Sequence, residues 1–451
     1  MAATGSAIDR MLPDEVLETV FSYCTHEDLV KSVQNVSSRW RRISQTNRLW
    51  KHIVYSPKKD VSDEQVEGIL RISPKLQTVI FENQHSENVL EALAENCPEL
   101  KKLVLCDFQL IRINFLKKLQ QKCLKLEFLK IPDDVVSDVE MSKILGKFQS
   151  VKTLILTALN TTTDDYIHLK PVSEECRSLQ HLEISNIRFV NGDLYNLMCR
   201  KKDTLHTLDV HCCNKKGECV LPLLAKAKSS ALKSLCLSSL WMCQNKERSK
   251  QFAQLKTVTS LTLFNLLYVD ANQIISIFEN KNMEQLEELN IYGSDCYDDN
   301  VTDVVIENCP LIHTLTLDNC KRITDRTLKD IHKFKLLKNL TVFMNFNVTR
   351  KGLSYLKDIQ GLRYLSVGGF RKLRHEGLKE IATLDKLEGL ELCLLDLYEF
   401  PWNDFVRSMD SLKKLHISRC SVLKSALILL SIDMPHLKVS LNTSLKSIKK
   451  R

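Results

Sequence analysis

Apolar and polar positions recur along most of this chain in one fixed order. A Leu-x-x-Leu-x-Leu run is followed by a short polar turn and then by a helical apolar stripe. First anchors of the run fall at Leu76, Leu100, Leu126, Val151, Leu179, Leu205, Leu232, Val258, Leu286, Ile312, Leu337, Leu362, Leu387 and Leu412. Successive anchors stand 24 to 28 residues apart. The alternating part has the period of two expected of a half-buried strand, and the stretch that follows has room for one returning helix. A unit this short cannot bury its own apolar face, so the array predicts stacked units held together by their neighbours. A degenerate fifteenth unit through Met434, Leu437 and Val439 is expected to cap the far end.

Residues 12–53 follow a different rhythm. Pro13 followed by Asp14 and Glu15 suits the first turn of a helix, and Val16, Leu17, Val20 and Phe21 fall on one helical face. Thr25 with Asp28 three residues on reads as a helix start, and Leu29, Val33 and Val36 carry a second stripe. Ser37 or Ser38 can cap a third helix bearing Trp40 and Ile43, with Leu49, Trp50 and Ile53 closing the unit. About 40 residues is where small folds begin to need a partner, so this segment is expected to dock on something.

Within the repeats, further positions keep the register. Cys97, Cys123, Cys176 and Cys309 each stand three residues before an anchor, Asn186, Asn265 and Asn319 seven after theirs, and Cys213, Cys320 and Cys420 eight after. Val301-Thr302-Asp303, Ile323-Thr324-Asp325 and Val348-Thr349 each offer a hydroxyl to cap the next helix. Ser62 with Gln65 forms a capping-box pattern, so the first repeat is expected to begin near residue 62, about eight residues after Ile53. A connection that short implies a fixed geometry, as in a rigid arm.

Two resemblances rest on these residues. The period is that of leucine-rich repeats, and the segment from Asn308-Cys309-Pro310 through Cys320 to Leu328 resembles the cysteine-containing repeat class. The opening Leu12-Pro13-x-Glu15-Val16-Leu17, Phe21, Asp28-Leu29, Val36, Ser38-Arg39-Trp40-Arg41 and Leu49-Trp50-Lys51 resemble an F-box, with Ser37 where many F-boxes carry Cys. The expected fold is therefore α/β: a three-helix F-box at 8–54, then a curved leucine-rich-repeat solenoid at 62–445 with parallel strands concave and helices convex, then a basic tail at 446–451. The resemblance implies a substrate-recognition subunit of a Skp–cullin–F-box ubiquitin ligase. Its F-box would bind the Skp adaptor, and through it the cullin and RING subunit, using Leu12, Pro13, Val16, Leu17, Phe21, Leu29, Val36, Trp40, Leu49 and Trp50. Which of these touch the adaptor and which pack internally is not readable at this level. A non-degradative interaction scaffold is the alternative.

The 451 residues carry 64 basic and 55 acidic side chains, a net charge of +9. The excess is spread thinly, apart from Lys446, Lys449, Lys450 and Arg451, and gives no basic stripe of the kind nucleic acid needs. The first ten residues lack an apolar core long enough for a signal peptide, and the apolar run at 426–430 is too short to span a bilayer. The sixteen cysteines recur at repeat positions, which suits packing in a reducing compartment, cytoplasmic or nuclear.

If the leucines point inward, the alternating residues map the open face. Early units offer Lys102, Val104, Phe128 and Lys130; middle units His181, Glu183, Asp209, His211, Ser234 and Cys236; later units Asn290, Thr316, Asn339, Glu391, Lys414 and His416. Phe264, Tyr292 and Phe343 occupy the third exposed position, with Tyr364 one strand further on, and would form a patch of roughly 20 Å. With Glu288 and Asp318 these six are the candidate substrate-binding residues, and the carboxylates favour a basic segment of a protein partner. His211-Cys212-Cys213 with Cys219 lacks the second Cys pair of a zinc site, so no metal is expected. Gly368-Gly369 lacks the Lys-Ser/Thr of a phosphate loop, and no Cys carries an active-site signature. No cofactor and no catalytic residue are expected.

Overall fold

The computed structural model describes residues 12–50, 54–59, 61–108, 111–132, 139–157, 166–185, 188–189, 191–211, 227, 229–238, 255–266, 270–370, 375–398 and 400–442. It divides into two compact units, Met1–Lys216 and Gly217–Arg451. The expected tail at 446–451, and Asn186, Cys212, Cys213 and Cys219, lie outside the described residues.

The first unit opens with four helices, α1 (Asp14–Phe21), α2 (His26–Lys31), α3 (Ser38–Ser44) and the single turn α4 (Asn47–Trp50). Their starts follow the local chemistry. The Thr25 hydroxyl accepts from the Asp28 amide and the Ser37 hydroxyl from the Trp40 amide, so Ser37 rather than Ser38 caps α3. Seven parallel strands follow in chain order: Val54–Tyr55, Thr78–Phe81, Lys102–Leu105, Phe128–Pro132, Thr153–Thr157, His181–Ser185 and Thr207–His211. Returning helices such as Asp63–Arg71, Glu87–Asn96 and Ile113–Lys122 connect them, as parallel pairing requires. The first strand lies before Ser62, within the segment read from sequence as the end of the helical unit. Tyr55 is fully buried and pairs with Val79, so the helical segment enters the sheet directly.

Among the described residues, the main sheet of the second unit carries nine parallel strands: Ser234–Ser238, Ser260–Leu266, Glu288–Asp298, Thr314–Arg322, Asn339–Phe343, Tyr364–Gly368, Gly389–Cys393, Lys414–Ser418 and Lys438–Asn442. In both units every anchored strand begins two residues after its Leu, Val or Ile anchor. The second and fourth residues of each anchored strand are buried, as in Leu289 and Ile291 or Leu315 and Leu317, and the alternating residues point to the other face; in the last strand, Lys438–Asn442, Val439 and Leu441 are only partly covered. Each buried leucine contributes about 1.5–3 kcal/mol, against at most about 1 kcal/mol for a surface ion pair such as Lys152–Glu127. The leucine ladder therefore holds the fold. Three residues mapped to the open face, Val104, Cys236 and Thr316, are instead buried, because the middle row is covered by its neighbours.

The caps correct one reading. In four successive repeats of the second unit the helix-capping position lies twelve residues after the anchor: Asp270, Asp298, Thr324 and Thr349, each accepting a helix amide through its side chain. Thr302 is not a cap. It sits inside helix Asp299–Asn308, whose start is capped by Asp298. Asp299 instead couples repeats: its carboxylate accepts from the Thr324 amide and hydroxyl and from the Thr327 amide and hydroxyl, at 2.5–3.2 Å. Asp325 repeats the arrangement toward Thr349. The capping box at Ser62 and Gln65 forms as read.

In the second unit the backbone is left-handed seven residues after the anchors: Asn265 (φ 49°), Gly293 (66°), Asn319 (51°), Met344 (52°), Gly369 (66°), Leu394 (50°) and Arg419 (52°). Asn and Gly tolerate this region, which is the physical reason the asparagines recur there. The cysteines three residues before anchors also have a structural account. Cys97, Cys123, Cys176 and Cys309 are buried at helix ends, and the first three thiols donate to carbonyls of the preceding unit, as Cys123 does to Cys97 at 3.5 Å.

Candidate functional site

The helical segment sorts its ten sequence-designated residues into two groups. Leu17, Phe21, Leu29, Leu49 and Trp50 are buried. Phe21 packs against Trp40 with ring centres 5.0 Å apart, and the Trp50 indole donates to the Ser44 carbonyl at 2.7 Å. Pro13, Val16 and Val36 are exposed, with Leu12 and Trp40 between the two classes. The structure adds two residues that sequence reasoning did not designate: Val20, 48% exposed, and Tyr23, 87% exposed, beside Val16 at 42% and Val36 at 46%. Positions 13, 16, 20 and 23 fall on one stripe at helical spacing, so α1 buries one stripe and presents an adjacent apolar one. The i, i+4 relation of Val16 and Val20 was the available signal. Sequence placed all four apolar residues of α1 on one face; packing divides it.

Polar contacts hold this surface in place. Arg39 on α3 donates to the Asp14 carboxylate at 2.6 and 2.8 Å and to the Leu12 carbonyl at 2.6 Å, and Arg42 reaches the other Asp14 oxygen at 2.7 Å. Thr46 donates to Glu18 at 2.5 Å. Beneath lies His26, buried between Trp50 (5.4 Å) and Tyr55 (4.5 Å), with neither ring nitrogen hydrogen-bonded. Burial pushes its pKa down to about 4, and burial followed by the Glu27 charge pushes the Tyr55 phenol up.

The second candidate surface is the open face of the second unit. The fifth residues of successive strands form a row in register: Phe264, Tyr292, Asp318, Phe343, Gly368 and Cys393. Phe264 stacks on Tyr292 at 4.6 Å with rings 11° from parallel. Tyr364 does not extend this row. It pairs with Asn339 and Gly389 in the row of first residues, which also holds Glu288, four positions back along the strand and so about 13 Å away. The six designated residues thus form two groups, because facing the same side of a sheet does not make residues neighbours. Tyr364 lies over Gly389, where a Cβ would come within 2.5 Å of its ring, and it borders a shallow depression of about 290 Å³ with Ser366, Glu391, Lys414 and His416. Glu288 accepts from the Ser260 hydroxyl at 3.2 Å, and Glu391 from Ser366 at 3.0 Å.

Asp318 differs from these carboxylates. It is half-buried between Tyr292 and Phe343, and among the described residues no side chain pairs with its carboxylate. Burial alone pushes its pKa up. The Tyr292 phenol is also raised, first by burial and then by the Asp318 charge, with a hydrogen bond to Thr316 acting the other way. Among the described residues no group of His, Cys, Asp and Glu has the arrangement of a metal site. The buried thiols of Cys97, Cys123 and Cys309 are pushed up to about 12 by burial, the condition of packed rather than nucleophilic cysteines.

A known structure shares this fold. A chain of the yeast Rad7–Elc1 complex matches over 94% of this chain and 92% of its own, with a TM-score of 0.52 and 16% identity. A chain of the TLR13–ssRNA13 complex is similar over 85% of this chain and 58% of its own, with a TM-score of 0.49 and 14% identity. A leucine-rich-repeat protein of Leptospira interrogans covers 86% of this chain and 99% of its own, with a TM-score of 0.34 and 14% identity. Residues 10–56, which hold α1 to α4 and the first strand, match the F-box-like family, so the chain carries an F-box-like domain in front of its repeats.

Proposed function

We propose that this protein is the substrate-recognition subunit of a Skp–cullin–F-box ubiquitin ligase. The observation that carries the reading is the exposed apolar stripe of Pro13, Val16, Val20 and Tyr23, joined by Val36, on an F-box-like domain whose own core is already closed by Leu17, Phe21, Leu29, Leu49 and Trp50. An apolar surface left over after a core is complete is the usual mark of a protein interface. Its partner is the Skp adaptor, which brings the cullin and the RING subunit. The repeats, of the cysteine-containing class, hold a protein substrate on their open face. Catalysis by this chain is proximity alone, without a nucleophile of its own. The working division is an F-box at 8–54, repeats at 62–445 and a basic tail at 446–451, acting in cytoplasm or nucleus.

The test is capture of the adaptor by the full chain. Val16→Glu with Val20→Glu alters only exposed positions and is expected to abolish capture while leaving the thermal midpoint within a few degrees. Retention of the adaptor by this folded variant would overturn the assignment. A non-degradative scaffold is separated by blocking cullin activity: a substrate receptor's bound partner accumulates, a scaffold's does not.

A further inference from the structure

We infer that the slot above Asp318, walled by Tyr292 and Phe343, receives one basic side chain, a guanidinium or an ammonium, of the partner protein held on the open face. The inference rests on the proposal that this face receives a protein, and it names the chemistry of the contact.

The register supplies the geometry. Tyr292, Asp318 and Phe343 are direct partners on three adjacent parallel strands. Strands lie about 4.8 Å apart, so the backbone of an aromatic residue runs about 4.8 Å to each side of that of Asp318, and a cation held at the carboxylate stands between two rings. Phe264, stacked on Tyr292 from the far side, limits how far that ring can lean away. Beyond Phe343 the row continues with Gly368, which has no side chain to fill the space, and a Cβ there would collide with the Cys393 carbonyl.

The charges supply the direction. A half-buried carboxylate with no partner among the described residues carries a desolvation cost, seen in its raised pKa. The arrival of a cation removes that cost, whereas an anion meets repulsion and a neutral apolar group deepens it. Other carboxylates of this unit already have partners: Asp295 pairs with Lys321 at 2.8 Å, and Glu391 accepts from Ser366. A flat guanidinium can stack on a ring while donating to Asp318, which gives arginine two contacts where lysine offers a point charge.

The experiment uses the purified full chain. N-acetyl-arginine-N-methylamide, its lysine counterpart and its neutral citrulline counterpart are titrated by saturation-transfer NMR. At least one cationic probe is expected to bind about fivefold or more tighter than citrulline, and Asp318→Asn to erase that preference. Phe343→Leu is expected to weaken the cationic probe several-fold while leaving the thermal midpoint near that of wild type. Whether arginine or lysine binds better assigns the cation and supports the slot in either case. Equal affinity for citrulline, an unchanged preference in Asp318→Asn, or no binding of any probe would overturn it. Adaptor capture by the same preparation is scored separately: its loss refutes the receptor reading, while its retention without a cation preference refutes only the slot.

Discussion

Acid should loosen the F-box-like domain through one residue, His26. Its ring lies between Trp50 and Tyr55 with both nitrogens unpaired, and burial holds its pKa at about 4. An unfolded histidine titrates near 6.5, so between these values the unfolded segment binds the extra proton. Stability is therefore fully present above pH 6.5 and is lost as pH falls toward 4. At pH 5.5 the loss from this single group is on the order of 1 kcal/mol, rising to roughly 3 kcal/mol below pH 4. A helical unit this small has little reserve, so a few tenths of a pH unit should register. The assay is hydrogen exchange of the α1 to α3 amides between pH 5 and 7.5, corrected for intrinsic rates, in wild type and His26→Leu. Wild-type protection is expected to fall about tenfold more than that of the variant between pH 7 and 5.5. The reasoning fails if the two proteins lose protection in parallel, since groups other than His26 would then explain the effect.

Three further outcomes follow from the repeats. Asp299→Ala leaves the Thr324 and Thr327 amides without their acceptor and should cost about 2–3 kcal/mol, read by urea unfolding and by exchange of helix Asp325–Asp330; a loss below about 0.5 kcal/mol would remove the staple between repeats. Arg419→Gly relieves a left-handed residue on an exposed turn and should raise stability by about 0.5 kcal/mol, the strain relieved exceeding the added freedom of the unfolded chain; a lower midpoint would refute this. Gly368→Ala would set a Cβ 1.8 Å from the Cys393 carbonyl oxygen, so adjacent strands must part, at about 3 kcal/mol or more; a midpoint unchanged by calorimetry would refute that contact.

The sequence by itself determined the elements and their order. Anchors such as Leu286, Ile312 and Leu337 located each strand, because a period of two and a buried leucine are local properties. Hydroxyls and carboxylates before helices, as at Thr25, Ser37 and Ser62, located helix starts for the same reason, since a cap and the amide it satisfies lie within three residues. Where the pattern has two equivalent settings, local chemistry does not choose between them: Thr302 fits a capping pattern, but Asp298 provides the cap. What only the tertiary structure decided depends on residues distant in sequence. Val16 and Leu17 carry the same local signal, but α3 packs against α1 and Leu17 is buried while Val16 stays exposed. Phe343 and Tyr364 both face outward, yet the pairing register sets them at opposite ends of their strands. The open carboxylate of Asp318 arises in the same way. Its burial comes from Tyr292 and Phe343 on neighbouring strands, about one repeat away on either side, and desolvation is a property of surroundings that a chain acquires only when it is folded.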